Sequence, residues 1–321
     1  MYVSLHNMTS MVPNVPSSSV PFGMELNISL VTPTSTDDNK PTGQHHTALL
    51  AIYCVVLFSG TISLSLMMYM MKSNVTSSTS IAMLNLIFTH FIFLLTVPFR
   101  MYYHATTCWN LGHGWCRAIS GMIHIHMYMS FIFYVIILSM RLVTFYCRSG
   151  RKVSINRVHA LFVSIVVWLV VLVVFPCVMF VYYGNDPEQS RSHNITHCFV
   201  FGKHIKSGGK VFNYIVSIAI ILVSSMLTAL QANATWVLYR KHRESCTFQQ
   251  DFAAHLKSLY FAAIMAVCFI PYHIFRLTYL ENLDLQNVNE VFLSLTTLNC
   301  VDMLTFLGNR RCIMCLLGKN I

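Results

Sequence analysis

Charged side chains are scarce in this chain, and their scarcity argues against a water-soluble fold. Only 10% of the 321 residues are charged and 55% are hydrophobic, whereas soluble domains carry about 25% charged residues. Seven apolar runs are instead long enough for a bilayer crossing, which takes about 20 residues. They lie near residues 47–71, 79–103, 113–146, 157–183, 211–240, 252–280 and 287–308. The sequence therefore predicts an all-α membrane protein, a bundle of seven transmembrane helices.

Acids are fewer than bases, and their distribution predicts the orientation of the chain. There are 11 acids against 21 Lys and Arg residues, which gives a net charge of +10. With the amino terminus outside, 13 of the 21 bases but only three of the 11 acids fall on the inner side, as the positive-inside rule requires. We therefore expect a multi-pass plasma-membrane protein with an extracellular N-terminus and a cytoplasmic C-terminus. Its basic balance indicates contact with membrane lipids and not with nucleic acid.

The two ends of the chain differ in composition from the spans. The first segment is rich in Ser, Thr, Pro and Asn, and we expect it to be extracellular and disordered. It contains glycosylation sequons at Asn7 and Asn27, and a third sequon, at Asn194, falls in an outer loop. The last segment suits a short amphipathic helix lying on the inner leaflet. The predicted terminus, membrane domain and cytoplasmic tail are residues 1–46, 47–308 and 309–321.

Few of the 11 cysteines lie where oxidation is possible. Cys108, Cys116 and Cys198 lie in outer loops or at outer helix ends, on the oxidising side of the membrane. We expect a Cys116–Cys198 disulfide that pins the loop after the fourth span over the mouth of the bundle. Cys108 would then stay a free thiol. Cys312 and Cys315 lie beside the inner leaflet, where acylation and simple packing are both open.

Catalytic motifs are missing from the sequence. It contains no HExxH, no GxSxG and no P-loop, so we expect neither an enzyme nor a bound cofactor. The stretch HIH, from His124 to His126, looks like a metal site, but residues two apart on a helix point to different faces. We therefore expect hydrogen-bonded histidines in the bundle and no metal at this pair.

Several ionisable side chains lie inside the apolar runs, where a charge costs about 2.5–3.5 kcal/mol on insertion scales. His90 is in the middle of the second span and Asp302 in the inner half of the seventh. Both are too deep to reach the headgroups, so we expect them to face protein or water. Arg141 ends the third span. Arg100 and Arg276 lie near outer span ends, where snorkelling to the headgroups and facing the interior are both open.

The order and spacing of these motifs resemble a known family. LNLIFTH, WNLGHGWC, SMRLV, a lone Trp168 in the fourth span, CFIPYH and LNCVDMLTF follow the order found in rhodopsin-like (class A) G-protein-coupled receptors. The resemblance covers about residues 47–318. Cys116 and Arg141 are 25 residues apart, which is the spacing between the family's disulfide cysteine and its inner arginine. TVPFRMYY and CFIPYHIFR are similar to the branch that contains nucleotide and lipid receptors.

The resemblance implies a signalling mechanism and a set of switch residues. An extracellular ligand would shift the bundle so that the inner end of the sixth span moves outward. A heterotrimeric G protein would then bind in the opened cleft, with Arg141 at its base. Pro271 would kink the sixth span, because proline removes one backbone hydrogen bond and displaces the preceding turn. The implied switch residues are Arg141, Pro271, Asp302 and His90.

A ligand-binding set follows from the same resemblance, with Phe269 standing where the family usually has tryptophan. His273 and Arg276 are three residues apart and therefore share one helix face. An acid in the third span that would pair with an amine ligand is missing, since Ile123 occupies that position. We therefore expect an anionic small molecule or lipid, because guanidinium groups suit anions. The candidate set is Arg100, His124, Phe269, His273 and Arg276. In the alternative, the cations only pair with outer acids, which are Glu281, Asp284 and Glu290.

The chain departs from the family's pattern at several switch positions. His90 replaces a sodium-binding aspartate, Met140 replaces the acid before Arg141, and DMLTF replaces NPxxY. We expect no regulation by sodium, because a histidine cannot replace a carboxylate ligand for a hard cation. A pairing of His90 with Asp302 would make the bundle centre sensitive to pH. These losses leave open a seven-helix protein without G-protein output, such as a decoy, a scavenger or a structural partner.

Overall fold

The described part of the chain is almost entirely helical. The computed structural model describes residues 42–71, 78–146, 157–182, 198, 205–241 and 246–306. Its α-helices are α1 (Thr42–Met71), α2 (Ser78–Thr106), α3 (His113–Tyr146), α4 (Arg157–Tyr182), α5 (Ser207–Lys241), α6 (Cys246–Tyr279) and α7 (Gln286–Leu295). Two 3₁₀ segments flank α7, Leu283–Leu285 before it and Thr296–Phe306 after it. Within these ranges there is no β-strand.

The helices coincide with the predicted spans, which confirms the predicted class of fold. Six of them, α1 to α6, are long and apolar enough to cross a membrane. The seventh predicted span, 287–308, falls on α7 and the 3₁₀ segment that follows it. Both α1 and α5 begin about one turn earlier than predicted, at Thr42 and Ser207.

The glycosylation and acylation predictions lie outside the described residues. They concern Asn7, Asn27 and Asn194 for glycosylation and Cys312 and Cys315 for acylation. The predicted tail, 309–321, and all of the predicted outer terminus before Thr42 lie outside as well. These assignments stay predictions.

The outer surface of the bundle is apolar, as a surface that faces lipid must be. Val158, Val267 and Phe58 expose 74%, 73% and 68% of their surface. Among the six candidate spans α4 is the least buried and α2 the most. A helix satisfies its backbone hydrogen bonds internally, so it can present apolar side chains to hydrocarbon without leaving polar groups unpaired.

Polar side chains join α2 to α4 inside this apolar bundle. The indole Nε1 of Trp168 donates a hydrogen bond to Asn85 Oδ1 at 2.9 Å. Asn85 Nδ2 in turn donates to Ser164 Oγ at 3.0 Å. The lone tryptophan of the fourth span therefore lies against the second span, and Asn85 orients it.

A small residue brings α1 close to its neighbours. A Cβ at Gly60 would lie 3.1 Å from a methyl carbon of Leu94 and 3.5 Å from Cys300 Cβ. Small side chains at helix contacts let backbones approach. Gly60 thus leaves room for the side chain of Leu94 from α2.

Helix type changes within the seventh span, whereas the helices that contain proline stay α-helical along their length. Pro98, Pro176 and Pro271 lie inside α2, α4 and α6, on exposed faces, and α6 continues through Pro271 to Tyr279. The 11 residues Thr296–Phe306 form a 3₁₀ helix, although runs of more than 3–4 residues are uncommon. Residues three apart eclipse in this geometry, so its side chains line up in rows.

Candidate functional site

A cavity of about 230 Å³ opens at one end of the bundle. Its walls come from α3 to α7 and from Arg100 of α2. Much of the lining is apolar, with valines from α4 and Phe212 and Val216 from α5. Arg100, Arg276 and Glu290 contribute charged groups to the same lining. The cavity therefore combines a largely apolar lining with a few charged side chains.

The predicted Cys116–Cys198 disulfide lies at the same end of the bundle and is confirmed. Both cysteines are buried in a small apolar cluster with Tyr103 and Trp109. Since Cys116 belongs to the first turn of α3, the bridge attaches Cys198 to the end of α3 that is nearer the cavity. Cys108 is exposed and not bridged, as predicted.

Arg276 is 5% exposed and is held on the α5 side of the cavity. Its Nε and Nη2 both donate to Asn213 Oδ1, at 3.2 and 2.8 Å, and its Nη1 donates to Tyr272 OH at 3.0 Å. The guanidinium carbon also lies 5.8 Å from the ring centroids of Tyr272 and Tyr279. These contacts fix the plane of a cationic group that is almost entirely out of water.

Arg100 is 1% exposed and is also held inside the bundle. Its Nη1 donates to Tyr53 OH at 3.2 Å and its Nη2 to the carbonyl oxygen of Ile119 at 2.8 Å. Glu290 of α7 lines the same cavity and approaches His104 Nε2 at 3.8 Å. Both arginines therefore face the interior, and neither extends to the outer surface of the bundle.

The remaining predicted ligand residues divide into two groups. His124 lines the cavity, where its ring stacks near Phe175 at 6.0 Å between centroids. His273 and Phe269 are buried beside the cavity without lining it. His273 Nδ1 lies 3.2 Å from Ser217 Oγ, and Phe269 packs edge-on against Phe131.

The acids proposed as alternative partners occupy different surroundings. Glu281 is exposed and accepts a hydrogen bond from Tyr214 OH. Asp284 is exposed in the short 3₁₀ segment before α7. Glu290 is the one carboxylate among the described residues that line the cavity. Of the three acids, it is the one that shares a wall with the arginines.

A second group of polar side chains lies at the centre of the bundle. His90 Nε2 is 3.8 Å from Asp302 Oδ1, and His90 Nδ1 is 2.9 Å from His126 Nε2. Tyr134 OH donates to Asp302 Oδ2 and lies 3.2 Å from the carbonyl oxygen of Asn299. The structure thus brings His90 and Asp302 together, and it turns His126 inward while His124 faces the cavity.

Arg141 lies at the opposite end of α3 and is partly buried. No described carboxylate forms an ion pair with it, consistent with Met140 in place of the family's acid. Nearby, Gln231 Nε2 of α5 donates to the carbonyl oxygen of Leu138 at 3.3 Å. The two arginines of the cavity and Arg141 therefore occupy opposite ends of one helical bundle.

Sequence reasoning missed the side chains that hold the arginines. Tyr53, Asn213 and Tyr272 orient the two guanidinium groups. A signal was present in α5, since Asn213 and Ser217 are polar residues one turn apart in an apolar run. Tyrosine gives no such signal, because it is common in apolar spans whether or not its hydroxyl group has a partner.

Comparison with known proteins agrees with the fold and with these motifs. The family model of the 7 transmembrane receptor (rhodopsin family) matches residues 63–303. Human probable G-protein coupled receptor 141 is 35% identical over 268 residues, which cover 80% of this chain and 87% of that protein. Probable G-protein coupled receptor 34 of Pan troglodytes is 24% identical, covering 84% of this chain and 75% of its own length.

A further relative matches a shorter part of the chain. Human probable G-protein coupled receptor 174 is 26% identical, with coverage of 69% of this chain and 67% of that protein. The family is a class of receptors and not of enzymes, and its members cross the membrane several times. The chain belongs to the rhodopsin family of seven-transmembrane receptors.

Proposed function

We propose that this receptor lies in the plasma membrane, binds an extracellular anionic ligand in the cavity and transmits the signal to a heterotrimeric G protein. The disulfide supports the orientation, because it forms on the oxidising side of a membrane and lies at the cavity end. The same orientation puts Arg141 at the cytoplasmic end of α3 and follows the positive-inside distribution of Lys and Arg.

The two buried arginines are the observation that carries the anion proposal. Arg100 and Arg276 line one cavity with Glu290 as the described carboxylate in its wall, so the fixed charges there favour an anion. Burial strengthens the attraction, because the effective dielectric constant is lower than in water. A planar guanidinium also pairs with carboxylate or phosphate through two parallel hydrogen bonds.

The apolar wall further narrows the ligand class. Val170, Val174 and Phe175 of α4 and Phe212 of α5 give the cavity that holds the two arginines a largely apolar lining. A ligand that contacts both kinds of side chain has an anionic group attached to an apolar body. Acidic lipids and amphiphilic acidic metabolites fit this description better than small inorganic anions.

A receptor of this kind transmits a signal only if the ligand binds one arrangement of the bundle more tightly than another. Arg276 is carried by α6, and Arg100 and His124 by α2 and α3. An anion held between them couples the position of α6 to that of α2 and α3. Movement of α6 would then open the cytoplasmic end near Arg141.

A screen of acidic compounds tests this function. Acidic lipids, nucleotides and carboxylic acids are applied to cells that express the full chain, and second-messenger output is recorded. For each active compound, a neutral ester or amide of the same body is the matched control. We expect a second-messenger response to the acids alone. An equal response to an acid and to its neutral analogue would contradict the anion assignment.

The altered switch positions favour one alternative, a protein of the same fold without G-protein output. Met140 beside Arg141 and DMLTF in place of NPxxY are the observations behind it. G-protein recruitment on forced expression, with and without an active compound, separates the two. Recruitment that Arg141→Ala abolishes supports coupling, whereas ligand binding without recruitment supports the alternative.

A further inference from the structure

Three metal-binding atoms converge at the centre of the bundle, where the proposed function does not use them. His90 Nδ1 of α2 is 2.9 Å from His126 Nε2 of α3. The sulfur of Cys300, in the 3₁₀ segment, is 3.3 Å from His90 Nδ1 and 3.8 Å from His126 Nε2. All three residues are buried, and each comes from a different segment.

These separations are those of ligands around one transition-metal ion. A triangle with sides of 2.9, 3.3 and 3.8 Å has a circumscribed radius of about 2.0 Å. Zinc binds imidazole nitrogen at about 2.0–2.1 Å and thiolate sulfur at about 2.3 Å. An ion slightly above the plane of the three atoms therefore meets all three distances, with side-chain shifts of a few tenths of an ångström.

A carboxylate lies near the ring nitrogen of His90 that faces away from the proposed ion. Asp302 Oδ1 lies 3.8 Å from Nε2 of His90, on the side of the ring away from Cys300. A ligating histidine commonly gives its second ring N–H to a carboxylate, which fixes the tautomer and the ring. Tyr134 OH donates to the other carboxylate oxygen and fixes Asp302. Phe93 stacks on His126 at 4.2 Å between centroids and holds that ring.

The kinds of ligand atom favour a transition-metal ion here. Hard cations prefer oxygen ligands, whereas two imidazoles and one thiolate suit zinc.

We propose that His90 Nδ1, His126 Nε2 and the Cys300 thiolate bind a Zn²⁺ ion at the centre of the bundle. Binding displaces the thiol proton to solvent, while each imidazole binds through its unprotonated nitrogen. The fourth position takes a water molecule, as in zinc sites with three protein ligands. The site lies close to the cavity, because Ile123, one helical turn before His126, lines it.

The ion links α2, α3 and the seventh span, and it binds only while the three donors stay together. It therefore stabilises that arrangement of the bundle by mass action. At free Zn²⁺ of about a hundred times Kd, we expect the unfolding temperature to rise by about 4 °C. The effect does not depend on any ligand in the cavity.

Spectroscopy of the purified full-length chain in lipid nanodiscs tests the proposal. The protein is stripped with a chelator and titrated with Co²⁺, which reports on zinc sites, and then with Zn²⁺. We expect one equivalent of Co²⁺ with tetrahedral d–d bands and a thiolate-to-cobalt charge-transfer band, both removed by Zn²⁺. A folded wild-type protein that shows no thiolate charge-transfer band overturns the proposal.

Variants then locate the site. Cys300→Ser should remove the charge-transfer band, and His126→Phe should remove stoichiometric binding. Asp302→Asn should keep the spectrum but weaken Zn²⁺ binding about 10–100-fold, the usual cost of losing a partner of a ligating histidine. The controls are Cys54→Ser, a free thiol in α1, and a double Cys312→Ser, Cys315→Ser variant.

The controls should bind as wild type does. Loss of the charge-transfer band in the double variant, with the band retained in Cys300→Ser, would move the metal to the tail and overturn the assignment. Asp302→Asn keeps the test decisive if Cys300→Ser fails to fold. Unchanged Zn²⁺ affinity in a folded Asp302→Asn protein contradicts the proposed geometry.

Discussion

Arg276→Gln separates a ligand-binding role of this arginine from a purely structural one. The substitution removes the charge and the planar fork but keeps a polar side chain beside Asn213 and Tyr272. Hydrogen bonds to charged groups contribute about 1.5–3 kcal/mol, and each 1.4 kcal/mol is about tenfold in affinity. We therefore expect the affinity for an acidic ligand to fall by about 10–150-fold.

The measurement is competition binding on intact cells, with each value normalised to surface expression. Lys206→Gln is the matched control, because it removes the same charge from an exposed position at the start of α5. An exposed charge is screened by salt, so its loss should change affinity by less than about threefold.

A structural role gives a different result. If Arg276 only holds α5 to α6 through Asn213, then Arg276→Gln lowers surface expression and the unfolding temperature but leaves affinity within about threefold of wild type. That outcome would refute the reasoning for an anion site at Arg276. Asn213→Ala distinguishes the cases further, because it disturbs the orientation of the guanidinium without removing its charge.

Three further substitutions test other parts of the structure. Cys116→Ser should cost about 2–5 kcal/mol of stability and reduce surface expression. Cys108→Ser, at an exposed free thiol, should do neither, and equal effects of the two substitutions would contradict the disulfide. Tyr134→Phe removes a hydrogen-bond donor from the buried Asp302 carboxylate, so the stability of the receptor should fall by about 1–3 kcal/mol. The measurement is the unfolding temperature, and an unchanged value would show that water replaces the hydroxyl group. Glu290→Gln removes a negative charge from the cavity wall, so acidic ligands should bind roughly 3–10-fold more tightly. Weaker binding would show that Glu290 contacts the ligand directly.

The spans and the bridge could be predicted from the sequence because both depend on local properties. A bilayer crossing requires about 20 apolar residues, and α1 to α6 begin and end within six residues of the predicted spans. The disulfide followed from which cysteines lie on the oxidising side. His273 and Arg276 were placed on one face by helical spacing, and both contact α5, at Ser217 and Asn213.

The centre of the bundle could not be predicted in the same way. His90, His126 and Cys300 are 36 and 174 residues apart along the chain, and they meet only because three helices turn particular faces inward. An apolar span has little amphipathic pattern to reveal that rotation. The sequence suggested a pairing of His90 with Asp302 because both lie deep inside their spans. It contained no indication of a long 3₁₀ segment or of a role for Cys300.

One helix connects all of these features, and this limits how a signal can pass through the bundle. α3 carries His124 at the cavity, His126 at the centre and Arg141 at the far end, and 17 residues of helix span about 26 Å. A continuous helix moves as one body, so α3 alone cannot switch between two conformations. Switching therefore requires contacts between α3 and its neighbours that can break. Tyr134 makes such contacts, to Asp302 of the seventh span and to Phe261 of α6 at 4.4 Å between ring centroids. An outward movement of α6 must therefore either separate Phe261 from Tyr134 or carry Tyr134 with it, and in the second case the contact of Tyr134 with Asp302 changes.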